Sequence, residues 1–376
     1  MKGKARGRRA PPRPDGKAVT EGFKNLQRGL TGDRGLVGKS YMDDSGMLTA
    51  YLGYYWPASR AQCLAILDRI AFLERRRPGA SLPLPVKTLI DVGSGPGPIA
   101  AAFASRGATQ VSLLDQSPDA LNLARKKVAL EGVSTLACDI RNPDPARIAR
   151  WGEADCVAFG HSLNELWAQA EDRVSLRARL VERYAAALAP AGFILVLEPA
   201  LLGTSRDLIA VRNLLVAKGW EVLAPCPGRE RLPCPALEAG LTHTCHESVR
   251  WDIPEETSRL ARSLGLDREW LKMTWFALRP PRPEGAPNGD ERPLYRIVSD
   301  PLRNKSGRVR KLLCGATGRF PLSAPTADGK TEETGFPAFD RLERGDYVLV
   351  TEPEIRENGW GMSGKTGLKR LFPAIS

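Results

Sequence analysis

Residues Thr88 to Ala101 read TLIDVGSGPGPIAA, and the fold follows from this stretch. A short apolar run, Thr88 to Ile90, ends in Asp91. Glycines follow at Gly93, Gly95 and Gly97, with Ser94 between the first two. Small residues from Ile99 to Ser105 then predict a helix. Strand, glycine turn and helix open a doubly wound α/β unit. Without a Cβ, the turn lets backbone N–H groups come close to a ligand. Dinucleotide-binding turns space their glycines as G-x-G-x-x-G. Here the spacing is G-x-G-x-G, with an acid two residues before it.

A second apolar run, Val111 to Leu114, ends in Asp115, 22 residues beyond Gly93. An acid at that offset, on the tip of the second strand, can accept hydrogen bonds from both ribose hydroxyls. Ser117 and Pro118 start a helix as N-cap and first helical residue, running to Leu130. A third run, Val133 to Ala137, leads to Asp139. Together these residues resemble the S-adenosylmethionine site of the Rossmann-like methyltransferases. That resemblance implies donor contacts from Asp91, Gly93, Ser94, Gly95 and Gly97. It sets Asp115 at the ribose and Asp139 at the adenine amino group. The plainer alternative gives Asp115 and Asp139 to helix capping.

A chain of 376 residues has room for two or three domains. No apolar run nears the ~18 residues of a membrane span, so no membrane partner is expected. Seven cysteines without a secretory leader point to a reducing compartment. The net charge of +12 is concentrated at the ends. Residues 1–40 hold 11 Lys/Arg against 3 acids, whereas residues 41–280 hold 28 against 27. The first 40 residues therefore read as a basic, disordered arm. Such an arm on a neutral body is either a nucleic-acid tether or a solubilising tail. GLVGKS (Gly35 to Ser40) lacks the spacing of a phosphate loop.

Residues 41–84 form an N-terminal helical layer: YLGYYW (Tyr51 to Trp56), then a helix from Ala58 to Arg75. Its aromatics suit core packing, with base stacking as the alternative. Residues 85–280 continue the doubly wound pattern, with strands at 154–159, 193–197, 220–223 and 273–278. After the fourth strand stands GHSLNEL, not the Asp/Asn-Pro-Pro-aromatic of many nucleic-acid methyltransferases. Within it His161, Asn164 and Glu165 are the catalytic candidates, His161 as a base and the others as orienting groups. The alternative is that Asn164 and Glu165 only cap a helix and catalysis has been lost.

Between the sixth and seventh strands, residues 224–250 carry Cys226, Cys234 and Cys245 among turn residues, and Cys314 follows later in KLLCG. Cys63, Cys138 and Cys156 sit in apolar contexts and read as inert core thiols. Four thiolates can hold an iron–sulfur cluster or tetrahedral zinc. No paired C-x2–4-C motif is present, and the wide spacing suits a cluster with ligands from separate loops. His243 and His246 keep a Cys3His zinc site open, and no metal at all is the third possibility.

The segments YLGYYWPAS, DVGSGPG, SLNEL, LEPALLGTS, the CP…CP…C insertion and LCG occur together here. In this the chain resembles the methyltransferase-like assembly factors of the small ribosomal subunit, found in mitochondria and many bacteria. The resemblance spans most of residues 45–320. It implies a Rossmann-like class I methyltransferase core that binds S-adenosylmethionine. It also implies a 4Fe–4S cluster on Cys226, Cys234, Cys245 and Cys314, and contact with small-subunit rRNA during assembly or initiation. An active rRNA methyltransferase is the alternative function. A monomer off the ribosome is expected. The first 40 residues depart from the mitochondrial members, which favours a bacterial cytoplasmic location over the mitochondrial matrix.

Residues 281–292 read as a Pro/Gly-rich linker and 293–376 as a small basic β module. Arg303, Lys305, Arg308, Arg310 and Lys311, then Lys365, Lys369 and Arg370, are its candidate RNA contacts. The bland reading of the same residues is a solubilising face.

Overall fold

The computed structural model describes residues 16–36, 42, 44–76, 82–142, 144, 146–147, 152–228, 231–262, 265, 269–281, 294–303, 305, 307–325 and 339–372. Five strands run parallel: β1 (Thr88–Val92), β2 (Gln110–Asp115), β3 (Val133–Ala137), β4 (Ala154–Gly160) and β5 (Leu188–Pro199). Three more complete the sheet: β6 (Glu221–Ala224), β7 (Glu247–Arg250) and β8 (Trp270–Arg279). The order is β3-β2-β1-β4-β5-β8-β6, with β7 also on β8. β8 is antiparallel to both β5 and β6. The chain thus folds as a Rossmann-like class I methyltransferase.

Strand parity explains the near-continuous apolar runs. Leu89, Leu113, Cys156 and Leu195 point to one face; Ile90, Leu114, Val157 and Ile194 point to the other. Both faces are buried, as crossover helices require. The first face is covered by α3 (Trp56–Glu74), α4 (Pro98–Ser105) and α5 (Pro118–Val128). The second is covered by α6 (Arg173–Tyr184) and α7 (Leu202–Ala217).

The N-terminal reading needs correction. Residues 1–15 and 37–40 lie outside the described residues, but 16–36 are not a disordered arm. They form α1 (Gly16–Gln27) and a π turn, Arg28–Gly32. α1 carries an apolar stripe, and Phe23 and Leu26 are fully buried against Ala50 and Tyr54. It crosses α2 (Ser45–Ala50) at a glycine contact, where a Cβ on Gly22 would stand 2.6 Å from the Gly46 carbonyl carbon. The net charge of residues 1–40 does not register this stripe, because it is carried by uncharged residues such as Phe23 and Leu26. Asp44 Oδ1 caps α2 by accepting from Met47 N. α2 then runs through a second π turn, Tyr51–Tyr55, into α3.

Among the described residues, the C-terminal module is an eight-stranded sheet. Its strands are β9 (Leu294–Ile297), β10 (Leu302–Arg303), β11 (Arg308–Gly315), β12 (Gly318–Pro325), β13 (Tyr347–Thr351), β14 (Glu354–Arg356), β15 (Gly359–Gly361) and β16 (Gly367–Phe372). One face holds the module's own core of Tyr295, Ile297, Val309, Leu313, Leu322 and Val348. The other face turns towards the methyltransferase unit. On it, Cys314, Arg296 and Tyr347 are neighbours across β11, β9 and β13. Tyr347 packs on Phe72 of α3 at 5.3 Å and donates its hydroxyl to Pro225 O at 3.0 Å.

Lys311 is a second correction. It shares strand parity with Val309 and Leu313, so it points into the module and is fully buried. Its Nζ donates to Phe339 O at 2.7 Å, Asp340 O at 3.2 Å and Leu342 O. Burial pushes its ammonium down to about 8. It cannot reach RNA. Lys311→Met is expected to cost about 1–3 kcal/mol in urea unfolding, because it orphans buried carbonyls. Arg310→Ala, exposed on the opposite face, should leave stability unchanged.

Candidate functional site

The glycine loop is shaped by hydrogen bonds from its neighbours. Gly93 N and Ser94 N donate to Leu114 O at 2.8 and 2.9 Å. Gly95 N donates to Asp115 Oδ2 at 2.8 Å, and Ser117 N donates to Asp115 Oδ1 at 2.9 Å. Gly93 and Gly95 hold φ of +71° and +49°, in the left-handed region. A Cβ on Gly93 would strike Ser162 at 2.5 Å, whereas one on Gly95 would have no neighbour within 4 Å. The loop's crest is therefore open.

It opens onto a cavity of about 780 Å³, lined by Gly93, Ser94, Gly95, Asp115, Asp139 and Ser162. Burial raises the Asp115 carboxyl, although the N–H groups of Ser117 and Gly95 oppose it. Asp139 lines the cavity with its carboxylate paired to Arg141 at 2.8 Å. Asp91 and Gly97 are not among the lining residues. Asp91 lies buried beneath the loop, accepts from Ala100 N at 3.2 Å, and is pushed up to about 7 by burial. Gly97 caps α4, and a Cβ there would sit 3.0 Å from Ala124 Cβ. Both shape the loop from behind.

The opposite wall comes from elements far away in sequence. Leu30, Thr31, Tyr51, Tyr55, Gln62, Trp167, Trp270 and Lys272 all line the cavity. Tyr51 and Tyr55 stack at 5.8 Å, while Tyr54 alone of the three joins the core. No local motif marks these residues. Only the packing of the helical layer against the loop brings them there. Cys138, read as a core thiol, is partly exposed and lines the same cavity, whereas Cys63 and Cys156 are buried.

The three catalytic candidates fare differently. His161 lines the cavity with a backbone φ of +63°. Its Nε2 lies 2.9 Å from Gln62 Oε1, and Gln62 Nε2 is already donating to Lys272 O at 3.2 Å. Gln62 therefore presents its oxygen, which places the His161 proton on Nε2. Nδ1 is left as a bare acceptor without a partner. Burial pushes the imidazole down to about 4, so it is neutral at pH 7. Asn164 is spoken for: it donates to Glu198 and to His161 O, and its Oδ1 accepts from Arg34 Nη2. Glu165 lines the cavity from a 3-10 turn, Leu163–Glu165.

The depressed imidazole of His161 ties stability to pH. Its folded value lies below the usual ~6.5, so neutral His161 contributes stability above that pH. The contribution is lost as pH falls towards about 4. It amounts to at most about 3 kcal/mol. His161→Asn, which tolerates a left-handed backbone, should flatten the unfolding free energy between pH 7 and 4.5.

The cysteine-bearing segments meet at the seam with the C-terminal module. Cys226 and Cys234 are buried, and Cys245 packs against the same cluster. Burial, with the Cys245 and Cys226 thiols beside it, pushes Cys234 up to about 12. Cys234 N donates to Asn213 Oδ1 at 2.9 Å, and Arg212 lies close by. Arg296 Nη1 reaches Cys245 Sγ at 3.6 Å. Cys314 sits on β11 directly between Arg296 of β9 and Arg319 of β12. The loop after Cys226 touches the turn after Cys314, since a Cβ on Gly228 would stand 2.8 Å from Ala316. Among the described residues, no three Cys, His, Asp or Glu side chains are set as a ready metal-ligand group.

The seam is rich in buried cations. Arg69 and Arg296 are buried there on either side of Glu247, which pairs Arg69 at 2.9 Å and Arg296 at 2.7 Å. Burial alone would raise Glu247, but the two guanidiniums outweigh it and hold the carboxyl low. Thr244 Oγ1, His246 Nδ1, Arg296 Nε and two nitrogens of Arg319 are buried without partners.

On the module's surface, Arg303, Lys305, Arg310, Lys365, Lys369 and Arg370 are exposed and Arg308 is half-buried. Arg370 is partly neutralised by Asp346 at 2.8 Å. No helix among the described residues is long and apolar enough to cross a membrane.

Sheet order, glycine loop and cavity define a methyltransferase-like protein. The family described as mitochondrial small ribosomal subunit Rsm22 matches residues 48–344, and the chain belongs to that family. Among solved structures, the chain is similar to a ribosomal protein L11 methylase from Lactobacillus delbrueckii subsp. bulgaricus. That pair shares 13% identity, over 58% of this chain and 78% of that one, with a TM-score of 0.32. It is also similar to a precorrin 8w decarboxylase from Methanobacterium thermoautotrophicum, at 17% identity over 52% and 84%, with a TM-score of 0.31. No curated protein matches the chain.

Proposed function

We propose that this chain is an assembly or translation factor of the small ribosomal subunit. It binds S-adenosylmethionine in the glycine-loop cavity, holds a 4Fe–4S cluster on Cys226, Cys234, Cys245 and Cys314, and contacts small-subunit rRNA. The family match over residues 48–344 is the observation that carries the ribosomal part. The family's description fits the mitochondrial matrix rather than a bacterial cytoplasm.

Three features support the finer parts. The donor fits because Gly95 leaves its crest open and Asp115 stands at the cavity lip. A thiolate-held centre is supported by Cys226 and Cys245 lying beside Cys234, with Arg296 Nη1 reaching Cys245 Sγ at 3.6 Å. When bound, such a cluster would pin the C-terminal module to the core through Cys314. Zinc on the same thiolates is the alternative. The exposed cations of the module suit phosphate contact without base reading.

The aromatic wall of Tyr51 and Tyr55, with neutral His161 beside it, favours a second reading as an active rRNA methyltransferase. There His161 would take or orient a proton of the acceptor.

Three measurements test these readings. Anaerobic purification should yield brown protein with iron and sulfide, lost in Cys234→Ser; colourless zinc-loaded protein would remove the cluster. Crosslinking in cells should recover small-subunit rRNA, and recovery of none would remove the ribosomal reading. Loss of a single methyl mark on Gly95→Arg would establish the second reading over the first.

A further inference from the structure

We infer that residues 28–36 are a strap closing the acceptor side of the cavity, with Arg34 as the latch that holds it on Asn164. This rests on the reading of that cavity as the S-adenosylmethionine site. The strap leaves α1 through the π turn Arg28–Gly32 and folds back on itself, with Leu36 N donating to Gly29 O at 3.0 Å. Gly32, Asp33 and Gly35 are exposed, while Leu30 and Thr31 form part of the cavity wall. A second cavity, of about 490 Å³, is lined by Asp33 and Arg34. Glu165 and Trp167 line both spaces, so the strap stands between them.

Asn164 belongs to the segment after β4, where many nucleic-acid methyltransferases receive the acceptor base. Its backbone N and its Nδ2 both donate to Glu198, which leaves Oδ1 as the accepting end of the side chain. Arg34 Nη2 donates to that oxygen at 2.5 Å. A guanidinium –NH2 is planar, as the amino group of a nucleobase is. Arg34 therefore fills the hydrogen-bonding position that an acceptor amine would use. The same guanidinium reaches Thr204 Oγ1 of α7 at 3.4 Å and Leu30 O at 3.5 Å. These are neutral oxygens, which hold a guanidinium less tightly than a carboxylate does, so the latch can release. Arg34 sits at a φ of +61°, a strained backbone for a residue other than glycine, and such contacts must maintain it. α1 is not part of the moving piece, because Phe23 and Leu26 are fully buried against Ala50 and Tyr54. The hinge falls in the π turn, a geometry that recurs at functional sites.

The test follows S-adenosylhomocysteine binding to the full chain by stopped-flow tryptophan fluorescence, since Trp167 and Trp270 stand in the cavity wall. Wild type, Arg34→Ala and Thr204→Asp are compared. Arg34→Ala should raise the association and dissociation rates together by about tenfold, the effect of losing one hydrogen bond to a charged group, with affinity little changed. Thr204→Asp offers the guanidinium a carboxylate and should lower both rates. Amide exchange from Thr31 to Leu36 should speed up in Arg34→Ala while Phe23 and Leu26 stay protected. Unchanged rates in a folded Arg34→Ala that still binds overturn the latch and leave the donor reading intact. Faster dissociation alone, or lost protection at Phe23 and Leu26, assigns Arg34 a packing role and also overturns the latch. A wild type that binds no S-adenosylhomocysteine overturns the donor reading and the latch together.

Discussion

Glu247→Gln is expected to destabilise the protein by about 3–5 kcal/mol, the cost of removing one partner from a buried charge set. Glu247 is fully buried between Arg69 of α3 and Arg296 of β9, at 2.9 and 2.7 Å. Trp275 Nε1 adds a hydrogen bond at 3.2 Å. The carboxylate thus joins the helical layer, the methyltransferase sheet and the C-terminal module. Removing its charge leaves two buried guanidiniums unanswered, and no water-exposed route relieves them. Replacing all three residues together, as Arg69→Leu, Glu247→Leu and Arg296→Met, should recover much of the loss, since an apolar set of similar volume needs no desolvation of charge. Urea unfolding of the single and triple variants checks this. Hydrogen exchange at Arg296 and Ile297 should report earlier opening of the module in the single variant. A single-variant loss below about 1 kcal/mol would mean that water reaches the charges, and the junction would then owe its stability to apolar contacts.

Gly95→Arg should lower S-adenosylmethionine affinity by about a hundredfold or more, equivalent to roughly 3 kcal/mol. Gly95 has no neighbour within 4 Å of a built Cβ, so the new side chain projects into the cavity without displacing protein. Its φ of +49° charges any L-residue a modest strain, about 1–2 kcal/mol. The fold should therefore survive. Gly93→Ala makes the contrast: its Cβ would meet Ser162 Cβ at 2.5 Å, so its loss of binding should come with a lower melting temperature. Calorimetric titration with S-adenosylmethionine, beside thermal unfolding, separates the two. Wild-type affinity in folded Gly95→Arg would mean that the donor lies elsewhere.

Much of the α/β unit was legible because its signals are local. Apolar runs ending in Asp91 and Asp115, glycines at fixed spacing, and Ser117–Pro118 each act within a few residues of themselves. β1 to β5 accordingly lie where the runs stand. The far wall of the cavity was not legible. Leu30, Gln62, Trp167 and Lys272 meet there only because the π turn after α1, α3, the turn after β4 and the start of β8 converge. Asp91 and Gly97 belong to the glycine motif, yet they serve the loop's shape rather than line the cavity. One is buried beneath the loop and the other packs on α5.

The amino-acid order by itself determined the methyltransferase-like sheet, the glycine loop and the presence of seven cysteines, because backbone conformation and strand parity are short-range properties. It did not determine which charges meet water. Lys311 and Arg310 are adjacent in the chain, yet the pleat sends one into the module and the other out. Arg69, Glu247 and Arg296 come from three separate segments, and only packing removes them from solvent together. The same packing sets Cys314 between two arginines, because opposition across β9, β11 and β12 depends on register and not on distance along the chain.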